Sequence, residues 1–372
     1  MRILVSGAGI AGLAAALELG ERGSEVTVVE YDDQLRLAGT PIDIRGDANE
    51  VVERMGLLAK IRERRLRMTE STWFVDGDGE PVARVPVDQI NDSDDDIEIL
   101  RADLVRVLAD ALPDTAAIRF GDSIEALDDD GGDGVGVRFA SGRTGRYDLV
   151  LGADGQHSAV RGLAFGPEED FLRHLGVYIA IVPLPGEERS EGVNAMHNVP
   201  GRMAAVFRYK DTAVAVFQFR SEPLEYDRRD LDAQKRIIVD AFTGHRSWRI
   251  PELLDAVRTA PDLFFDSASQ IHAPSWHRGR VVLVGDAGYS PAFLSGRGTS
   301  LALTGARILA EELDQCGGDH AAAFERYEAR QRPYVAHAQD GAGGGRDFIL
   351  PASWEAIEAR NEALQAGSTD VL

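Results

Sequence analysis

The chain opens with a strand, a glycine turn, a helix and a second strand within thirty residues, and no other stretch restricts its fold as tightly. Ile3-Leu4-Val5 runs into Gly7-Ala8-Gly9-Ile10-Ala11-Gly12; an Ala- and Leu-rich helix is expected over 11–22, closing at Gly23, and Val26-Thr27-Val28-Val29 ends on Glu30. Each glycine answers a separate steric demand. Gly7 permits a tight turn, Gly9 lets a pyrophosphate come close to the backbone, and Gly12 lets the helix lie close to the strand. The helix N-terminus offers free N–H groups and a partial positive charge, and Glu30, 18 residues past Gly12, is placed to accept from an adenosine ribose. The pattern predicts a dinucleotide site in an α/β fold. By itself it does not choose between NAD and FAD.

The remainder of the chain makes that choice. In a simple dehydrogenase more crossovers would follow the first βαβ unit. Here a helical stretch at 43–66 is followed by a hairpin in which Trp73-Phe74-Val75 and Val82–Val85 flank Asp76-Gly77-Asp78-Gly79. The run Asn91–Asp96 reads as a solvated loop. A helix over 101–112 precedes strands at 117–127 and 135–139, joined by a tip at Asp128–Gly134, and Asp148-Leu149-Val150-Leu151 enters Gly152-Ala153-Asp154-Gly155. Short strands from 171 to 223 suggest an antiparallel sheet, followed by helices near 228–242 and 251–260 and a return strand at 281–284. Helices at 299–314 and 319–334, a glycine hinge at Gly341–Gly345 and a last helix at 352–365 complete the reading. Such segmentation fits an extended flavin cofactor touched by distant segments.

The stretch Gly285-Asp286-Ala287-Gly288-Tyr289-Ser290 through Gly296-Arg297-Gly298-Thr299-Ser300 follows the apolar run Val281–Val284. Asp286 is an acceptor suited to ribityl hydroxyls, and the small residues at 296–300 open a helix whose N–H groups face negative charge on a reduced flavin. Composition excludes other classes. With 62 acidic against 40 basic residues the net charge is −22, which argues against nucleic acid and anionic membranes as partners. The single cysteine, Cys316, rules out an internal disulfide, the scattered histidines give no metal set, and the passage of Met1 directly into a strand suggests a cytoplasmic protein. At about 150 residues per domain the length suggests two domains.

Taken together, three motifs resemble those of the FAD-dependent aromatic hydroxylases, the single-component flavoprotein monooxygenases that include polyketide hydroxylases and tetracycline-modifying enzymes. They are Gly7–Gly12 with Glu30, Gly152-Ala153-Asp154-Gly155-Gln156-His157-Ser158-Ala159-Val160-Arg161, and Gly285-Asp286-Ala287. The resemblance spans nearly the whole chain. It implies an FAD-binding Rossmann-like domain of the glutathione-reductase/hydroxybenzoate-hydroxylase type, with an interleaved antiparallel-sheet substrate domain and C-terminal helices. The boundaries it suggests are 1–70, 97–170 and 271–335 for FAD, 71–96 and 171–270 for substrate, and 336–372 for the C-terminal segment.

The implied cofactor residues are Gly7, Gly9, Ile10, Ala11, Gly12, Glu30, Tyr31, Arg45, Arg101, Asp154, Gly155, Gly285, Asp286, Gly296, Gly298, Thr299 and Ser300. Arg45, Phe293 and Arg297 are implied to face the flavin. Tyr178, His197, Arg202, Arg208 and Gln218 are candidate substrate contacts in the antiparallel segments. The implied reaction uses non-covalent FAD, NAD(P)H and O2 to hydroxylate an aromatic or polyketide-like molecule through a C4a-hydroperoxyflavin, in a monomer or weak homodimer. The chain departs from the family pattern at Tyr289, often His in relatives, and at Phe293, often Pro; Arg297 and Ser300 also replace commoner residues. A same-fold reductase or cyclase without oxygen transfer is the alternative. The halogenase signature is incomplete, because Ser247-Trp248-Arg249-Ile250-Pro251 lacks its second Trp.

Overall fold

The computed structural model describes residues 1–36, 40–66, 72–85, 93–129, 131–186, 194–209 and 212–367. These form two compact units, one of 1–65, 95–173 and 269–341, the other of 66–94, 174–268 and 342–372. The tips of two expected loops, at 91–92 and at Asp130, lie outside the described residues.

The first unit is built on a six-stranded sheet, in the order His277–Arg278, Val281–Leu283, Leu149–Gly152, Arg2–Ser6, Glu25–Val29, Ala116–Arg119. From Val281–Leu283 onward the pairings are parallel, with Leu4 opposite both Thr27 and Val150 and with Leu151 opposite Val282. Helices cover such strands on both faces, which explains why Ile3–Val5, Leu149–Leu151 and Val281–Leu283 are almost uniformly aliphatic and buried. The helix Ile10–Glu21 packs against the helix Gly298–Gln315 through small side chains, Ala11 and Ala302 among them, so the two backbones approach closely. A three-stranded antiparallel sheet (Ile124–Asp128, Val135–Phe139, Thr144–Tyr147) and the pair Pro41–Ile44 with Ile97–Leu100 complete the unit.

The second unit carries a seven-stranded sheet, in the order Phe264–Ile271, Leu172–Pro183, Thr212–Arg220, Arg202–Tyr209, Asn194–Val199, Thr72–Val75, Pro81–Arg84. Helices Leu231–Ala241 and Ile250–Thr259 cover one face. Tyr178, Ala180, Val182, Ala204, Val206, Ala215, Phe217 and Phe219 pack there with Ile238, Phe242, Leu253 and Val257. Because strand side chains alternate, Ile179, Ile181, Met203, Ala205, Val214, Val216 and Gln218 belong to the other face.

Four expectations about secondary structure need correction. The helix expected at 43–66 is a strand followed by two short helices, Ala48–Arg54 and Leu58–Arg62, separated where Gly56 takes φ +71°. The strand expected at 117–127 divides at Gly121 (φ +70°); Ala116–Arg119 joins the parallel sheet and Ile124–Asp128 the antiparallel one. The glycine hinge at 341–345 does not form, since one helix runs His320–Ile349 through both Pro333 and the glycines. Ala342 and Phe348 are buried on either side of Gly343–Gly345, and this packing outweighs the poor helix propensity of glycine. Finally, Asp96 is not solvated as Ser93, Asp94 and Asp95 are: it is buried and accepts from the Gly46 N–H at 3.3 Å.

Candidate active site

The glycine turn is fixed by close approaches. A Cβ on Gly12 would lie 1.9 Å from the Gly7 oxygen, and one on Gly7, at φ +100°, would lie 2.6 Å from the Ala153 oxygen. Gly9 differs from both: a Cβ there would meet only Arg101 Nη2, 3.9 Å away. Two of the three glycines therefore serve backbone packing, and the third leaves an open approach. Gly9 is the N-cap of Ile10–Glu21 and makes no side-chain cap bond, and the first turn contains no acid. Its N–H groups are left for a ligand.

Two charged side chains flank that opening. Glu30 braces the turn through Oε2, which accepts from the Ala8 N–H at 2.8 Å, while Oε1 accepts from the Asp32 N–H at 3.1 Å. A carboxylate has about four lone-pair positions, so capacity for a ribose hydroxyl remains. Arg101, the first residue of the helix Arg101–Ala109, donates through Nη1 to the Arg36 carbonyl at 2.8 Å. Burial, with the repulsion of Arg36, pulls its pKa below the ordinary arginine value, and the charges of Asp286 and Glu30 act against that shift. Arg101 thus lies in the field of both acids assigned to the cofactor.

Asp286 is exposed although the residues on both sides of it are buried. Gly285, at φ +65°, makes this possible: a Cβ there would lie 2.7 Å from the Ala11 Cβ, so the chain turns directly over the first helix. Asp286 Oδ1 lies 3.9 Å from where a Gly298 Cβ would be, beside the N-terminus of Gly298–Gln315, which likewise has no side-chain cap and no acid in its first turn. Arg45 reaches the same helix start. Its N–H donates to Ser300 Oγ at 2.9 Å, its buried guanidinium donates to Asp43 Oδ2 at 2.6 Å, and a Cβ on Gly296 would meet that guanidinium at 3.4 Å. Thr299 is half-buried on the first turn, and Phe293, on the preceding loop, is partly exposed. Arg297 is the N-cap, with its N–H on Ser295 Oγ at 3.1 Å. Tyr31 is largely exposed just past Glu30.

Asp154 is engaged within its own loop. One oxygen accepts from Ser158 Oγ and the other from the Val160 N–H at 3.1 Å, while burial pushes its pKa up. Ser158 Oγ in turn caps Ala159–Ala164 by accepting from Arg161 N. The backbone around Gly155 is open, with nothing within 4 Å of a Cβ. The sequence reading missed the part played by Arg161: almost fully buried, it donates to the carbonyls of Ala287 at 2.9 Å and Gln156 at 2.7 Å, tying the Asp-Gly loop to the Gly-Asp loop. Tyr289 points inward. Its hydroxyl lies 3.0 Å from that of Tyr327, which donates to the Leu283 carbonyl, and burial pushes the Tyr289 pKa up to about 12.

Of the five substrate candidates, only Gln218 stands on the sheet face of the second unit opposite the helices. Tyr178 is stacked on Phe219 and Phe265, and its oxygen accepts from the Leu224 N–H at 2.8 Å. His197 pairs with Ala204, on the helix-covered side; Nδ1 donates to the Val75 carbonyl at 3.1 Å and Nε2 lies 2.9 Å from Ser247 Oγ. Arg202 pairs with Phe219 and donates to the Ala241 carbonyl. Arg208 pairs with Ala213 on the same face. Among the described residues no group of three metal-ligating side chains forms, and no helix is long and apolar enough to cross a membrane.

The open Gly9, the projecting Asp286 and two uncapped helix starts fit an extended dinucleotide whose far end is a flavin, and comparison with known proteins agrees. The family described as FAD binding domain matches residues 1–342. A Mycobacterium tuberculosis protein is 43% identical over 91% of both chains, and a flavin-dependent monooxygenase of Legionella longbeachae is 35% identical over 98% of this chain and 95% of its own. The crystal structure of tetracycline destructase Tet(51) superimposes with a TM-score of 0.85, at 33% identity over 100% of this chain and 97% of that one. The chain belongs to the FAD-binding family of flavoprotein monooxygenases. The expected fold, the FAD cofactor and the oxidoreductase class are borne out.

Proposed function

We propose that this monooxygenase couples oxidation of NAD(P)H by O2 to hydroxylation of an aromatic or polyketide-like small molecule: NAD(P)H, H⁺, O2 and substrate give NAD(P)⁺, water and hydroxylated product. The observation that carries the reading is the open backbone of Gly9, with Arg101 Nη2 at 3.9 Å from a Cβ built there and Glu30 bonded to the adjacent Ala8 N–H. Bound FAD supplies the electron and oxygen chemistry. Gly9 and the N–H groups after it hold the pyrophosphate, with Arg101 as counter-charge; Glu30 accepts from the ribose and Asp286 from the ribityl hydroxyls. The first-turn N–H groups of Gly298–Gln315 stabilise negative charge on the pyrimidine edge, and Arg45 steadies that helix start from the side. No residue forms a covalent bond to the cofactor.

The domain organisation supports a division of labour in which the first unit binds FAD and the second selects the substrate. The sheet face away from the helices, with Ile179, Ile181, Met203, Val214, Val216 and a single amide at Gln218, suits a large apolar ring system with few polar anchors. Relatives of known substrate point the same way, since the Tet(51) and Tet(55) structures are those of tetracycline destructases. The test is to measure NADH and NADPH oxidation by the FAD-loaded protein in air, with and without polycyclic aromatic compounds, while assaying product and peroxide. Stimulated oxidation with product in proportion supports the reading. Peroxide equal to NAD(P)H consumed, with every stimulating compound, refutes oxygen transfer and favours the non-hydroxylating alternative.

A further inference from the structure

We propose that Gln270 and Gln339 are positioning residues for the flavin loop, two side-chain amides that hold Ser290 and Pro291 and so keep Ala292 in a strained conformation. The proposal rests on the reading above that the loop Phe293–Gly298 faces the cofactor.

Ala292 has φ +70° and ψ +151°, a region that glycine enters freely and an alanine enters only against its Cβ. Such a conformation persists only where the surroundings leave no alternative. Here the chain is held on both sides of it. Ahead of Ala292, Gln339 Nε2 donates to the Ser290 carbonyl at 3.2 Å and to the Ile271 carbonyl at 3.0 Å. Gln270 Nε2 donates to the Gln339 carbonyl at 2.7 Å and reaches the Pro291 carbonyl at 3.4 Å. Pro291 adds a locked φ of its own. After Ala292, its carbonyl accepts from both the N–H and the hydroxyl of Ser295, at 3.2 and 2.9 Å. His272 Nε2 lies 2.8 Å from Gln270 Oε1; by donating there it fixes which way the Gln270 amide points and leaves Nε2 for the two carbonyls.

The arrangement is more than a buried glutamine satisfying itself. The two amides tie three separate pieces of chain together: the end of the strand Phe264–Ile271, the long helix His320–Ile349, and the loop. They grip the loop immediately before its strained residue, and four residues further on the chain reaches Gly296, beside the Arg45 guanidinium. A relaxed Ala292 would rotate Phe293 and redirect the approach to the uncapped helix start at Gly298. The amides therefore set where the flavin-facing loop lies without touching the cofactor.

A double-mutant cycle on the apoprotein tests the clamp without FAD. Ala292→Gly is expected to raise the melting temperature of the parent, because glycine removes the Cβ clash, and to give no such rise in Gln339→Leu, where the loop has already relaxed. Gln270→Met enters the same cycle, so the outcome does not hang on one variant folding. An equal effect of Ala292→Gly in all backgrounds overturns the clamp. In the holoprotein, Gln339→Leu is expected to bind FAD within about threefold of the parent and to be reduced by saturating NAD(P)H at least about tenfold more slowly. A reduction rate within twofold of the parent overturns the positioning role. If the parent itself binds FAD but is not reduced by NAD(P)H, the proposed reaction fails, and the apoprotein cycle still decides on the clamp.

Discussion

Replacing Gly9 and Gly12 separately by alanine divides cofactor contact from fold maintenance. At Gly12 the new methyl carbon would lie 1.9 Å from the Gly7 oxygen, more than 1 Å closer than real Cβ contacts allow. That oxygen cannot retreat, because Gly7 itself crosses the Ala153 carbonyl tightly. Overpacking against fixed backbone should cost about 3 kcal/mol and lower the melting temperature of the apoprotein by roughly 6–12 °C. At Gly9 the backbone (φ −80°, ψ −174°) is open to any residue, and the methyl meets nothing closer than Arg101 Nη2 at 3.9 Å. Alanine is a poorer N-cap than glycine, but it narrows the unfolded ensemble; the two effects are each about 0.5–1 kcal/mol and opposite in sign. Apoprotein stability should hardly change. FAD affinity should fall sharply if, as proposed above, the pyrophosphate approaches the helix start at Gly9, because the methyl would stand in its path. Losing two charge-assisted hydrogen bonds at about 1.5 kcal/mol each corresponds to roughly 150-fold in Kd. Calorimetry of the apoproteins and FAD titration followed by flavin fluorescence measure both quantities. Parent-like FAD affinity in Gly9→Ala would refute the placement of the pyrophosphate, and a melting temperature as low as that of Gly12→Ala would refute the claim that Gly9 is open.

Other substitutions probe the rest of the site. Asp286→Ala should weaken FAD binding roughly ten- to hundred-fold through loss of about 1.5–3 kcal/mol of hydrogen bonding to a charged acceptor, visible as cofactor loss on dilution. Unchanged occupancy would remove Asp286 from the ribityl contact. Arg45→Ala should slow NAD(P)H-driven flavin reduction more than it weakens FAD binding, as rapid-mixing absorbance and equilibrium titration would show; equal losses in both would make Arg45 a simple cofactor ligand. Burial holds the pKa of His197 below its ordinary 6.5. The unfolded chain then takes up that proton first, so stability is complete above pH 6.5 and declines as pH falls below it. His272 and His245 are shifted in the same direction, so His197→Gln should flatten the acid side of a melting-temperature profile without abolishing it. A profile as steep as the parent's would contradict the shift.

What the sequence revealed and what it concealed follow from how each feature is enforced. Gly7 and Gly12 are forced by backbone atoms 2.6 and 1.9 Å, respectively, from where a Cβ would be, and a constraint that only one residue type satisfies leaves an unmistakable mark in a sequence. Glu30 and Asp286 stand out for a related reason, since a charge placed within three residues of the end of a buried strand needs a purpose. The substrate side was less so. Alternation along 177–182 and 213–219 divides the side chains into two faces, but the helices that decide which face becomes core come from 231–241 and 250–259, far along the chain. Polar tips on Tyr178, His197 and Arg202 therefore looked available when they are bonded within the core, and Gln218 looked no different from them. The glycine-rich stretch at 341–345 misled in the opposite way, because propensity is a weak local preference and Phe348, packed edge-on against Phe74 at 5.7 Å, anchors the helix beyond it. Gln270 and Gln339 left no mark at all. An amide that grips a carbonyl 21 or 49 residues away has neither period nor motif, yet these two hold the backbone before Ala292, where the loop departs from ordinary geometry. Residues that touch a cofactor are constrained by its chemistry and repeat across a fold, whereas residues that position those contacts are constrained by local geometry alone, which shows only in the folded chain.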